Sequence, residues 1–455
     1  IKPALEPVIT DRLEAAKPAQ REDALLGLKV CDPACGSGHF LLAAARRIGT
    51  ELARVRTGEE APAPDAVRDA VRDVITHCIY GVDKNPLAVD LCKVALWIEG
   101  HSGGKPLTFL DHRIRCGDSL VGVFDLAVLE EGIPDAAFDP VSGDDRKFAS
   151  AIKKRNKAER AGQQGLVFDT AAEVHDLVEE RRELETLHDD TPEDIHRKRA
   201  AWERLQRDGG PLWRERMACH LWTAAFFAEL TAEAEENRRI PTTADLRRFM
   251  DNPDAVDARL RGHVWAVAER NRFFHWPLEF PEVFEQGGFG CLLSNPPWER
   301  VKLQEQEFFS TRDQGIAAAP NKATRERLIH ALKDADPGLL REYQGELHAA
   351  DASSKFLRQS GRYPLTGRGD INTYAVFAEL ARALIAEFAR CGVVVPTGIA
   401  TDDTTKDFFA AIADGQELCQ LTGYENEEFI FVGVANVVRF CTLVLQGRGR
   451  HEAAA

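Results

Sequence analysis

With 455 residues, 44% of them apolar, the chain is long enough for two or three substructures around well-filled cores. Its 73 acidic against 58 basic residues leave a net charge of -15, which excludes holding nucleic acid by bulk electrostatics and requires any such contact to be local. No apolar run approaches bilayer length and the start lacks a signal-peptide layout, so a cytoplasmic protein with no membrane partner is expected. The 10 cysteines sit scattered in apolar contexts without a Cys-x-x-Cys pair, which suits a reducing compartment and predicts no metal site.

In chain order, Leu5, Val8, Ile9 and Leu13 fall at helical spacing, so residues 4–16 open the chain with a helix. Residues 25–31, Leu-Leu-Gly-Leu-Lys-Val-Cys, read as a short strand running into Asp32-Pro33-Ala34-Cys35-Gly36-Ser37-Gly38 and a helix over 41–56. Gly36 and Gly38 allow a sharp turn and close approach of backbone to a ligand, with a helix N-terminus behind them. A helix over 65–76 and a second strand, 78–83, follow; Asp83 closes that strand where an acid in a doubly wound sheet takes ribose hydroxyls. Lys84-Asn85-Pro86 starts a helix over 87–98 with Ala88, Leu91, Val94, Ala95 and Ile98 as its expected buried stripe; Trp97 is expected to pack. A third strand, 113–116, ends at Gly117-Asp118-Ser119-Leu120, where Asp118 suits either an exocyclic amino group or a loop cap.

The strand–helix alternation then stops. Residues 128–265 read as a charged helical insertion between a first half of an α/β core, 1–127, and a second half, 266–455. Helices are expected over 173–187 and 195–206, the second capped by Thr191, Pro192 and Asp194, and over 213–236 with an apolar face that must dock. The charge runs 153–160 and 179–185 read as solvated faces. After a packing segment over 277–284, Phe289-Gly290-Cys291-Leu292-Leu293 reads as a buried parallel strand ending in Ser294-Asn295-Pro296-Pro297-Trp298. Two successive prolines stiffen the exit, so Asn295, the Pro296 carbonyl and the Trp298 ring present an amide, an acceptor and a flat face suited to a planar amino-bearing ring. Taken alone, the string also suits a stiff turn. A second helical insertion, about 303–360, a helix from 373 to 390, a strand over 391–396 with a polar loop after it, and a last strand over 437–445 complete the reading.

Taken together, Asp-Pro-Ala-Cys-Gly-Ser-Gly, Gly-Val-Asp-Lys-Asn-Pro, Gly-Asp-Ser-Leu and Asn-Pro-Pro-Trp resemble the motifs of gamma-class N6-adenine DNA methyltransferases. The string Phe273-Phe274-His275-Trp276-Pro277-Leu278-Glu279-Phe280-Pro281-Glu282, with Asn295 to Lys302, is similar to the large methylases of bacterial restriction-modification, DISARM and BREX phage defence. The resemblance covers residues 25–122 and 270–446. It implies a Rossmann-like class I methyltransferase: a doubly wound, mostly parallel α/β sheet with large helical insertions. It implies S-adenosylmethionine held by Asp32, Gly36 and Gly38 at its amino-acid end, Asp83 at its ribose and Asp118 at its adenine, with Pro33, Ala34, Lys84 and Ser119 also among the cofactor-binding residues. It further implies catalysis by Asn295, Pro296, Pro297 and Trp298 on an adenine flipped from double-stranded DNA, stacked between Trp298 and Phe431, with Phe429 competing for the latter role. The resemblance also implies other subunits of a defence complex as partners.

The family's cofactor-closing N-terminal element and its target recognition domain are not found, so a piece of a longer chain is expected. Asn-Pro-Pro-aromatic motifs also serve methyltransferases of RNA guanine and protein glutamine. A noncatalytic scaffold would predict broken motifs, and a nicotinamide dehydrogenase would need a third glycine.

Overall fold

The computed structural model describes residues 1–162, 170–207, 209–429 and 435–448. The chain opens with α1 (Lys2–Ala15) and α2 (Arg21–Leu26), followed by β1 (Val30–Asp32) and α3 (His39–Thr57). Next come α4 (Pro64–Cys78), β2 (Ile79–Asp83), α5 (Pro86–Glu99) and β3 (Ile114–Cys116). The later strands are β4 (Phe289–Ser294), β5 (Ile385–Pro396), β6 (Leu418–Tyr424) and β7 (Phe440–Gln446). They form one seven-stranded sheet in the order β3-β2-β1-β4-β5-β7-β6. The pairings from β3 to β5 are parallel, and β7 runs antiparallel to both neighbours. This is the expected doubly wound α/β architecture.

Strand alternation decides which core each residue joins. Val30, Ile79, Cys291 and Leu293 point into a cluster shared with α1, α3 and α4. Cys31, Tyr80, Leu292 and Val393 point the other way, into a cluster that also contains Leu129, Phe138, Leu221, Phe249 and Val264. Residues 128–265 therefore help cover one face of the sheet, as a parallel sheet buried on both faces requires.

Charged groups fasten this layer. Glu279 accepts from Arg115 of β3 (2.6 Å) and from Arg216 of the insertion (3.3 Å), while Glu282 accepts from Arg181 (3.3 Å) and the Tyr80 hydroxyl (3.2 Å). Arg113 pairs with Glu185, and Arg115 and Arg181 lie over the Trp202 ring. Burial alone would push Glu279 up, but Arg115 and Arg216 overcome it and hold the carboxyl at about 2. The expectation of a solvated face over 179–185 holds for Glu179, Arg182 and Glu183 but fails at Arg181, which is buried and paired with a partner about a hundred residues away.

Other expectations need correction. Only Val30 and Cys31 of the expected first strand are extended, since Leu25 and Leu26 close α2. The expected stripe on α5 faces outward: Leu91, Val94 and Ile98 are exposed, and Val89, Cys92 and Leu96 are buried. This helix is apolar on both sides, and packing of Cys92 against the glycine turn selects the face. The helix expected over 213–236 is broken: Pro211–Ala224 is followed by a 3-10 turn and a separate Ala232–Glu236. The helix expected to reach residue 390 ends at Leu384, because Ile385 to Arg390 extends along β4 with an irregular register and Phe388 at φ 62°. Tertiary pairing overrides the helical propensity of that Ala/Glu/Arg segment. β6 and the helix Lys406–Asp414 were not expected.

Candidate active site

The ends of β1, β2 and β4 lie side by side, because β1 pairs with both of the others. They bring Asp32, Asp83 and Asn295 to one edge of the sheet, the edge where open α/β sheets bind ligands. After β1 the chain turns at Gly36 (φ 52°) and Gly38 (φ 86°), left-handed conformations that glycine adopts without strain. A Cβ on Gly38 would come within 2.7 Å of the Cys92 sulfur, whereas one on Gly36 would meet only open space. The turn is thus tight toward α5 and open at Gly36.

Both carboxylates are oriented by neutral donors. Asp83 accepts from the Gly36 amide (2.9 Å) and the Asn85 amide (2.8 Å), which ties the end of β2 to the glycine turn. Asp32 accepts from the Ala34 amide (3.0 Å) and the Ser294 hydroxyl (2.7 Å). Burial pushes the Asp32 carboxyl up to about 7; the Ser294 and Ala34 hydrogen bonds pull against this and the Asp83 charge adds to it. At the end of β3, Asp118 pairs with Lys84 (2.8 Å) and accepts from the Leu120 amide (3.1 Å). Ser119 gives its hydroxyl to the Pro33 carbonyl (2.6 Å), so it braces the glycine turn from the neighbouring loop. The Trp276 indole N–H donates to the Ser119 carbonyl (3.0 Å), which fixes that loop in turn.

The Asn295-Pro296-Pro297-Trp298 string is held by contacts from β5 and from Thr373. Pro296 is buried, Pro297 exposed and Trp298 half-buried, with the Trp298 indole N–H donating to the Val394 carbonyl on β5 (3.2 Å). The Trp298 ring lies 6.1 Å from Phe440, which in turn stacks on Tyr424 at 5.3 Å. Thr373, which the sequence had suggested only as part of a helix start, clamps the loop. Its hydroxyl donates to the Pro297 carbonyl (2.7 Å) and accepts from the Glu299 amide (3.0 Å). Arg300 (3.0 Å) and Lys302 (2.5 Å) share Asp370 next to it. Against this satisfied background, Asn295 Oδ1 is buried and has no hydrogen-bond partner. An acceptor left empty in this way costs stability unless a ligand donor fills it. Phe431 lies outside the described residues; Phe429 is half exposed, at φ 50°.

The sequence reading missed Ser294, Thr373 and Trp276 as parts of the site. Ser294 carried a signal in its place just before Asn295, and Trp276 in its place in the Phe273–Glu282 string, while the contacts of Trp276 and Thr373 are encoded by no local pattern.

The chain is similar to known DNA methylases. The family model described as Eco57I restriction-modification methylase matches residues 77–324, more than half of the chain. That described as N-6 DNA Methylase matches residues 15–121. A putative type II restriction enzyme and methyltransferase of Methanocaldococcus jannaschii is 23% identical over 329 residues, 64% of this chain and 24% of that protein. The adenine-specific methyltransferase PglX of Streptomyces coelicolor is 39% identical over 94 residues, 21% of this chain and 7% of that protein. The chain thus spans about a quarter or less of the length of these curated relatives.

Proposed function

We propose that this chain, which belongs to the Eco57I restriction-modification methylase family, methylates the N6 amino group of adenine in DNA and so marks host DNA in a restriction-modification setting. The observation that carries this reading is the empty, buried Asn295 Oδ1 beside the Pro296 carbonyl and the Trp298 ring.

S-adenosylmethionine would supply an electrophilic methyl group. The residues present fit it: Asp83 keeps lone pairs for ribose hydroxyls, the open side of Gly36 admits a ligand, and Asp32 offers a carboxylate to the amino-acid end. Asp118 can take an adenine amino group while it retains Lys84 on its other oxygen.

An adenine amino nitrogen is conjugated with its ring and is a weak nucleophile. Asn295 Oδ1 and the Pro296 carbonyl accept its two hydrogens, which raises the electron density on nitrogen and holds its lone pair out of the ring plane. Trp298, anchored through Val394, gives the extruded base a fixed face, and stacking there offsets part of the few kcal/mol that flipping costs. The chain's negative charge leaves DNA contacts to local groups; Arg300 and Lys302, which follow Trp298 and share Asp370, would offer two local cations to phosphates.

The test is Asn295→Ala. It should retain S-adenosylmethionine binding by calorimetry while tritiated-methyl transfer to plasmid DNA falls by about two to three orders of magnitude, the usual effect of removing one preorganised partner from a transition state. Undiminished transfer would refute the assignment.

A further inference from the structure

Two side chains from strands far apart in sequence meet at the centre of the site. Asp32 ends β1 and Ser294 ends β4; both are 1% exposed, and the Ser294 hydroxyl donates to Asp32 Oδ1 at 2.7 Å across a separation of 262 residues. The same oxygen takes the Ala34 amide at 3.0 Å, so both donors fall on Oδ1 and none of the described residues donates to Oδ2. The residue after Ser294 is Asn295, whose own Oδ1 is empty. To the backbone ladder that pairs β1 with β4, this side-chain hydrogen bond therefore adds a link at the strand ends, between the strand that leads into the glycine turn and the strand that leads into Asn295.

We propose that Ser294 is a positioning residue that couples the two halves of the site: by donating to Asp32 it keeps that carboxylate ionised and aimed at the cofactor's ammonium group, and it fixes the strand end from which Asn295 projects. This rests on the reading that the β1 turn holds the amino-acid end of S-adenosylmethionine. The alternative is a strand-end contact with no bearing on ligand charge, and the two differ in their pH dependence.

The groups that face Asp32 are few. Asp83 approaches from β2, Cys31 is its neighbour on β1, Cys35 sits on the glycine turn, and β4 contributes the non-titrating Ser294 hydroxyl. No described cation pairs with Asp32, and Lys84 is engaged by Asp118. Burial holds the Asp32 carboxyl near 7 and the Ser294 bond opposes that rise, so loss of the hydroxyl moves its titration further upward.

The sign follows. The ionised form binds the ammonium, so affinity rises with pH through the Asp32 titration, and removing Ser294's donor displaces that rise to higher pH by about one unit. Binding of S-adenosylhomocysteine, which keeps the amino-acid end, is measured by calorimetry between about pH 6 and about pH 8.5 for the intact chain, Ser294→Ala and Asp32→Asn. Ser294→Ala should bind about tenfold more weakly at the acid end and converge on the parent as pH rises. Asp32→Asn, which cannot ionise, should bind weakly and without this pH dependence. A Ser294→Ala deficit that is equal at every pH, or absent, overturns the proposal. If thermal melting shows that Ser294→Ala does not fold, Ser294→Cys, which puts a weaker donor in the same place, decides: a binding profile displaced to higher pH supports the coupling, and one that matches the parent overturns it. Failure of the parent to bind S-adenosylhomocysteine at any pH would instead refute the proposed function.

Discussion

The molecule treats buried polar groups in two opposite ways. Beneath the insertion, carboxylates face guanidinium groups: Glu279 meets Arg115 and Arg216, Glu282 meets Arg181, and Glu185 meets Arg113. At the ends of β1, β2 and β4, Asp32 and Asp83 have only neutral donors among the described residues, and Asn295 Oδ1 has none. The first arrangement cancels charge and fixes a helical layer to the sheet. The second keeps acceptor capacity in reserve and lets burial push Asp32 to about 7, a cost to the empty fold that a cationic or amino-bearing ligand can repay. Asp118 stands between them, since it belongs to the site yet pairs with Lys84.

The contrast can be broken from either side. The largest effect on stability should come from the anchoring network. Glu279→Gln leaves Arg115 and Arg216 without their carboxylate and should cost about 3 kcal/mol or more in urea denaturation, because a broken buried pair strands a charge. The contribution has a definite pH window. The folded carboxyl is held at about 2, below its ordinary value of 4.5, so the stabilisation is present above that ordinary value and is lost as pH falls through about 2. An unchanged midpoint would show that the insertion layer is held by its apolar contacts alone.

A smaller effect, on activity alone, is expected at the clamp. Thr373→Val keeps shape but removes the hydroxyl from the Pro297 carbonyl and the Glu299 amide. Methyl transfer should fall about tenfold with cofactor affinity unchanged, the scale of one lost hydrogen bond, and Thr373→Ser should restore it. Equal losses in both variants would remove Thr373 from the site.

How much of this the sequence disclosed follows from how local each constraint is. The glycine turn and the two prolines are backbone instructions written in adjacent residues, so Gly36, Gly38 and Asn295 to Trp298 were legible with their strands. The Ser294–Asp32 and Thr373–Pro297 bonds join residues 262 and 76 positions apart, which no local pattern encodes. The same limit explains α5, where two apolar faces compete and Cys92 at the glycine turn decides, and β5, where pairing with β4 extends a segment that alone reads as helix. The Trp-Pro-Leu-Glu-Phe-Pro-Glu string was legible as a motif but not as a fastener, since the partners of Glu279 and Glu282 lie on β2, on β3 and in the insertion.

The central claim is that an empty amide acceptor beside an aromatic face receives the amino group of adenine in DNA. Tritiated-methyl transfer from S-adenosylmethionine onto plasmid DNA, RNA and protein in parallel, followed by digestion and nucleoside analysis, tests it most directly. The account predicts label in N6-methyladenine from DNA; label confined to RNA or to protein would contradict it.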